Sequence, residues 1–224
     1  MGSELNTSTR LLPPPGPKIR RPVPSDPYPP CNPPLFNDAM SVRTTVFIDE
    51  QGCSPESELD EDDQRSYHWV MYDTQADKQE PIGVIRLVPP PHPPHEVHLS
   101  NGGPNHSKSG SEGHAQHEEP CVKLTRVAVL PAYRGLGLSR KLVDTTLNWA
   151  AGHKEDISSA LGPKESWNGL VLVHAQVQVE ALYARMGFVT DEIWIDTFEV
   201  DASRLPVKSH GTPRTSNSGL VSEG

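Results

Sequence analysis

Eleven of the chain's 24 prolines fall within residues 1–34, in runs such as "PPPGP" and "PYPPCNPP". Proline fixes its own φ, offers no backbone N–H and pushes the preceding residue out of the helical region, so most of this arm is extended or irregular. Only "KIRRPV", residues 18–23, leaves room there for one short edge strand. Residues 89–120 are barred from regular structure for a related reason. They are rich in Pro, Gly, Ser and His and show no apolar period, which predicts a long loop. The last stretch, "KSHGTPRTSNSGLVSEG", is polar and lacks a core-forming pattern. At 224 residues and 34% hydrophobic content, what remains suffices for one domain with long tails.

Inside those limits two periods alternate. Residues 35–49 place Leu35, Ala39, Met40, Val42, Val46 and Phe47 on one side of a helix whose end is weakened by β-branched residues. "SYHWVMYD" (66–73) and "PIGVIRLVP" (81–89) read as strands across a polar turn. "CVKLTRVAVL" (121–130) is a third, alternating at first and then continuously apolar, which predicts an end buried on both faces. A helix follows over 137–151, then a strand at 169–176 and a short helix at 179–187 stopped by Gly187. Residues 188–200 form a final strand or pair. The order α-β-β-β-α-β-α-β predicts an α/β fold with a mixed sheet in one layered domain.

Charge and cysteine usage narrow the partners. A net charge of −9 argues against nucleic acid, which needs a basic face. Cys31, Cys53 and Cys121 are scattered and odd in number, which fits a reducing compartment. No stretch approaches the length of a membrane span, and the N-terminus lacks the apolar core of a signal peptide. "MGSELN" begins like a myristoylation signal but has Asn6 where Ser or Thr is required. The expectation is a soluble cytoplasmic protein without membrane partners.

The chemistry concentrates in "RVAVLPAYRGLGLSRKLV", residues 126–143. A strand ends, two glycines permit a tight bend, and a helix begins with Ser139, Arg140 and Lys141 at its mouth. A helix N-terminus exposes unpaired N–H groups and the positive end of its dipole, so the arrangement suits a pyrophosphate. It is neither a Walker A loop, for lack of G-x-x-x-x-G-K-[ST], nor a dinucleotide fingerprint, because Arg140 stands at the third glycine position. On these residues alone, a plain glycine turn between strand and helix is an equal alternative.

The spacing R-x-x-G-x-S at 134–139, after "VAVLPAY", resembles the acyl-CoA-binding motif of the GNAT N-acetyltransferase superfamily. That pattern is Gln or Arg, two residues, Gly, one residue, then Gly or Ala; Ser139 is another small residue at the last position. "EALYARMGF" (180–188) is similar to the family's closing helix. "VRTTVFIDEQGCSPESELDEDDQRSYHWV" (42–70) is similar to a subgroup of small GNAT enzymes whose first helix ends in V-F-x-x-E-Q, before an acidic loop and a strand bearing His. Ala175-Gln176 before the last helix is also like them. The resemblance implies a GNAT domain over 18–202, after a Pro-rich disordered or extended arm at 1–17 and before a polar tail at 203–224. It implies a mixed, strongly bent sheet flanked by helices, with 89–120 inserted between strands three and four. The fourth and fifth strands would splay apart to admit acetyl-CoA.

Carried over by position, the resemblance implies that the backbone of Val127, Ala128 and Val129 pairs with the pantetheine arm. It implies that the loop from Arg134 through Gly135, Leu136, Gly137, Leu138 and Ser139 to Arg140 holds the pyrophosphate, and that Gln176 contacts pantetheine. Tyr183 would give a proton to the leaving thiolate as general acid; its alternative is a core aromatic capped by Gly187-Phe188. Some relatives carry a strand-four Glu as base, but Lys123, Leu124, Thr125 and Arg126 stand there. Glu50, Asp63, His68 and His174 remain as candidates, with Glu50 also a catalytic choice because a helix C-terminus disfavours acids. Glu50, Gln51, His68 and Thr125 would border the acceptor. "ESELDEDD" reads as a solvated loop that could attract a cationic amine.

The implied activity is acetyl transfer to the primary amine of a small molecule, with glucosamine or its phosphate the leading acceptor. Polyamines and protein N-termini or lysines stay open, as does a non-catalytic acyl-CoA-binding module, since "VTDEIWIDTFEVDASRLPV" matches the subgroup poorly. Homodimers are common in the family. Six of the ten histidines (92, 95, 98, 106, 114 and 117) lie in the insertion, without nearby cysteines or i, i+4 spacing, so no metal site is assigned.

Overall fold

Period two and period 3.6 sort the chain as the sequence pattern requires. The computed structural model describes residues 5–75, 79–92, 119–194 and 197–201. Its strands are β1 (Thr7–Leu12), β2 (Tyr67–Asp73), β3 (Glu80–Val88), β4 (Cys121–Val129), β5 (Leu170–Gln176), β6 (Val189–Trp194) and β7 (Thr197–Asp201). Its helices are α1 (Pro34–Arg43), α2 (Pro55–Glu58), α3 (Leu138–Gly152), α4 (Lys154–Ser158) and α5 (Glu180–Ala184). The strands form one sheet in the order β1-β2-β3-β4-β5-β7-β6. Every neighbouring pair is antiparallel except β4–β5. Parallel neighbours need a long crossover, and α3 and α4 supply it.

Alternation along the strands builds two core layers. Trp69 and Met71 of β2, Ile85 and Leu87 of β3, and Val122 and Leu124 of β4 pack with Leu138, Leu142, Val143 and Ala150 of α3. The opposite face, with Val70, Tyr72 and Val84, packs on Ala39 and Val42 of α1. Each large aliphatic side chain fully buried this way contributes about 1.5–3 kcal/mol. Pro34 stands at the first helical position of α1, where its missing N–H costs nothing. Beyond Arg43 the helix loosens into π-type turns over Thr44–Glu50. Thr44, Thr45, Val46 and Ile48 are β-branched there, the weakness expected of this end.

The edge strand lies earlier than the sequence pattern suggests. Residues 7–12, not 18–23, add to the sheet, running from Thr7 opposite Asp73 to Leu12 opposite His68. "TSTRLL" has an N–H at every position, whereas Pro22 and Pro24 interrupt the later segment, which forms only a single bridge between Val23 and Asp26. The rest of the arm is tied down by polar contacts. Gly16 N donates to the Gln64 carbonyl (2.9 Å), and Asn32 exchanges two bonds with the backbone of Arg20 (2.7 and 2.8 Å) while donating to Asn37 (2.7 Å). Most of the long insertion, residues 93–118, lies outside the described residues, as does the tail from 202 onward.

Candidate active site

β4 changes face halfway along. Thr125 pairs with Arg86 and Ala128 with Val84, so β4 holds one more residue than β3 between these rungs. That is a β-bulge, and it reverses the alternation. Val122 and Leu124 point to the α3 layer, yet Ala128 reaches the α1 layer and Val129 the α3 layer. Arg126 at the bulge has φ 52°. On its other side β4 pairs with β5 only from Cys121–Leu170 to Leu124–Val173. β5 then runs on to Gln176 against β7, so residues 125–129 form no rung with it. The strands part at the bulge and leave an edge of β4 open to an extended ligand.

The chain reaches α3 through a glycine turn. Gly135 and Gly137 have φ of 79° and 74°, conformations that cost an L-residue about 1–2 kcal/mol. A Cβ added at either would meet nothing within 4 Å, so backbone conformation rather than crowding requires glycine. Gly137 is the N-cap of α3, no side chain caps the helix, and its first turn holds no acid. The N–H groups of Leu138, Ser139 and Arg140 therefore face the mouth without intrahelical partners. Leu138 is buried, Leu136 is 57% exposed, and Arg140 pairs loosely with Asp144 at 3.6 Å.

Arg134 spans the two parts. Its Nε donates to the Val129 carbonyl (3.0 Å), and both Nη atoms donate to Glu50 (2.6 Å each). This fork–carboxylate pair ties the end of the π-type turns to the start of the glycine turn. Arg134 holds the Glu50 carboxyl below the usual range by hydrogen bond and charge, which makes Glu50 a weaker base than a free carboxylate. Gln51 beside it is exposed.

The acidic segment is not the solvated loop its composition suggests. Arg43, fully buried, donates from Nε to Glu58 (2.6 Å) and from Nη1 to Asp63 (2.6 Å), and also to the Glu58 carbonyl. Arg86, 2% exposed, donates to both oxygens of Asp60 (2.6 and 2.9 Å), pairs with Asp63 (2.9 Å) and donates from Nε to Thr125 Oγ1 (2.8 Å). Arg126 completes the network on Glu58 and Asp60 (3.1 Å each). Three arginines neutralise three carboxylates, which is what burial of such groups demands. A visible signal was an arginine in the middle of the apolar strand "PIGVIRLV", which implies a buried partner.

Three expected site residues are held by this network: half-buried Thr125 accepts from Arg86, and Asp63 and His68 lie too deep to face an acceptor. Asp63 is fully buried, and Arg43 and Arg86 outweigh desolvation to hold its carboxyl well below the ordinary range. His68 is also fully buried, edge-on to Phe36 at 5.4 Å, so it does not border an open pocket. Its Nε2 donates to the Asp63 carbonyl (3.1 Å), leaving Nδ1 unprotonated and without a partner. Burial pushes its pKa from 6.5 down to about 4. A depressed folded-state value means that the unfolded chain takes the proton first as pH falls. Stability is therefore full above about pH 6.5 and is expected to drop by about 3 kcal/mol toward pH 4. Urea midpoints measured from pH 7.5 to 4 check this; His68→Phe should flatten that part of the profile.

Tyr183 of α5 is 4% exposed, lies edge-on to Phe188 at 5.6 Å and belongs to the core layer that includes Val129, Leu138 and Val173. Burial pushes its hydroxyl up to about 12, so it is protonated at neutral pH. Gln176 ends β5, and His174 lies within it; the contacts expected of their side chains lie outside what is described. His92, at the root of the insertion, donates from Nε2 to the Cys121 carbonyl (2.9 Å) beside Arg65. The other five insertion histidines lie outside the described residues. A shallow concavity of about 330 Å³ opens between the arm and the acidic segment, lined by Pro17, Ile19, Leu59, Asp60, Glu61 and Gln64.

The model of the Acetyltransferase (GNAT) family matches residues 35–188. Among solved structures, an acyl-CoA N-acyltransferase from Pseudomonas aeruginosa shares the fold with a TM-score of 0.52 and 20% identity, over 88% of this chain and 99% of that one. Arabidopsis thaliana NAA60, solved in complex with acetyl-CoA, aligns with a TM-score of 0.48 and 14% identity, over 88% and 97% of the two chains.

Proposed function

The chain belongs to the GNAT acetyltransferase family and is an N-acetyltransferase that uses acetyl-CoA, and on that premise we propose that its acceptor is the primary amine of a small molecule. The carrying observation is the parting of β4 from β5 beside an uncapped helix N-terminus. A pantetheine arm fits the first as an added strand, and a pyrophosphate fits the second. Val127, Ala128 and Val129 would pair with the arm, and the N–H groups from Gly135 to Arg140 would hold the phosphates. Arg134 serves less as a direct phosphate ligand than as the strut that Glu50 holds against the Val129 carbonyl.

The chain's own contribution to transfer is placement and one proton. The amine attacks the thioester carbonyl, the C–N bond forms, and the tetrahedral oxyanion accepts from backbone N–H on the β4 edge. Collapse breaks the C–S bond, and Tyr183, still protonated at neutral pH, supplies the thiolate's proton. Glu50, Asp63 and His68 are each committed elsewhere, so the amine's own proton leaves through water or His174. The concavity shares Asp60 with the Arg126 ion pair. Glu61, the acid of its lining that the arginine network does not take up, supports a cationic acceptor, an amino sugar such as glucosamine foremost.

The test is calorimetric titration with acetyl-CoA, followed by thiol release on glucosamine, glucosamine phosphate, polyamines and short peptides. Binding with turnover of a sugar amine is expected; turnover of peptides alone would overturn the acceptor class. Tyr183→Phe is expected to lower kcat about 10- to 100-fold while leaving acetyl-CoA affinity unchanged, because a general acid acts on the leaving group.

A further inference from the structure

Among the described residues, Arg126 is the one non-glycine residue with positive φ. It stands two positions past the last rung shared with β5, at the extra residue of β4. An L-residue is strained in that conformation, and glycine would not be. What holds it there is its side chain. Nε donates to Glu58 Oε1 and Nη2 to Asp60 Oδ2, both at 3.1 Å, and Nη2 also donates to the carbonyls of Ser57 (3.2 Å) and Glu58 (3.4 Å). Neither carboxylate is free to follow a moving arginine. Glu58 is held by buried Arg43, and Asp60 takes both Nη atoms of Arg86, whose Nε fixes Thr125, the residue before the bulge. The backbone at 125–126 is gripped from two sides by a largely buried lattice.

Resting on the reading that acetyl-CoA lies along the open edge of β4, we propose that Arg126 is a positioning residue. Its ion pairs with Glu58 and Asp60 hold the bulge in the left-handed conformation and so aim the N–H groups on the open edge, those of Val127 and Val129, at the thioester. It touches neither substrate. Oxyanion donors contribute only when preorganised, so a bulge free to relax would cost rate before it cost binding.

Three variants separate this from a purely structural role. Arg126→Ala keeps a strained φ and loses the grip; kcat with the best amine is expected to fall about 30-fold, with the acetyl-CoA KM unchanged. Arg126→Gly also loses the grip but adopts positive φ freely, and is expected to return to within about threefold of wild type. Arg126→Lys, charged but without the fork, should fall between them. A role in stability alone would move the urea midpoints of the variants and leave the kcat of the folded enzyme unchanged. Arg126→Gly at or below Arg126→Ala, or Arg126→Ala at the wild-type rate, overturns the proposal. If no amine turns over, amide exchange at 127 and 129 in the acetyl-CoA complex decides it: protection in wild type and Arg126→Gly but not in Arg126→Ala is expected, and equal exchange in all three refutes it. Wild type that does not bind acetyl-CoA is a different failure, that of the underlying reading, and takes the proposal with it.

Discussion

Arg43→Met is expected to lower the stability of the fold by about 3 kcal/mol, near the low end of the 3–5 kcal/mol range for breaking a buried ion pair. The arginine is fully buried and bonds to Glu58, Asp63 and a main-chain carbonyl. Removing it leaves Asp63 with Arg86 and Glu58 with Arg126, which is why the loss should not reach the top of the range. Against a total stability of about 5–15 kcal/mol, that is a large fraction. Urea unfolding followed by the fluorescence of buried Trp69 and Trp167 measures it. A loss under about 1 kcal/mol would mean that water or a shift of Arg86 and Arg126 replaces the guanidinium, and that the network is ornamental to stability.

Gly137→Trp is expected to raise the Kd for acetyl-CoA about 1000-fold while leaving the chain folded. The added side chain meets no protein atom near its Cβ, so it is free to occupy the space before the exposed N–H groups of α3. Three charge-assisted hydrogen bonds lost there, at about 1.5–3 kcal/mol each, amount to three decades or more of affinity. Gly137→Ala separates backbone strain from obstruction: it carries the same φ penalty without the bulk. Calorimetry on both variants distinguishes the causes. Binding by the tryptophan variant within tenfold of wild type would place the pyrophosphate somewhere other than this turn.

Local pattern made the central strands legible and left the long-range pairings hidden. β2, β3, β4 and β5 lie where alternation and apolar runs put them, because each is bounded by turn residues and buried against a helix. β1 was obscured by its neighbourhood: a six-residue strand next to "PPPGP" takes its stability from β2, far along the chain, not from its own sequence. The glycine turn could be found since strand, glycines and helix are contiguous. Glu50 was noticed for its place at a helix end, but its partner Arg134 is 84 residues distant and no spacing announces it. The acidic segment misled for the same reason. Its composition is that of a solvated loop, and only the fold brings Arg43, Arg86 and Arg126 to it.

The extra residue in β4 acts as a frame shift for side chains. Upstream of it even-numbered residues serve the α3 layer; downstream, odd-numbered Val129 does. Any single substitution leaves that frame intact. Flattening the bulge at full length would turn everything beyond it over, Val129 toward α1 and Ala128 toward α3. Loss of one residue between 125 and 127 would instead keep both on their present faces and remove the bulge at which β4 parts from β5. In lineages that share this strand, length at the bulge should thus be more tightly held than residue identity. Alignments in which position 126 holds arginine or glycine while no gap ever falls there would be the signature.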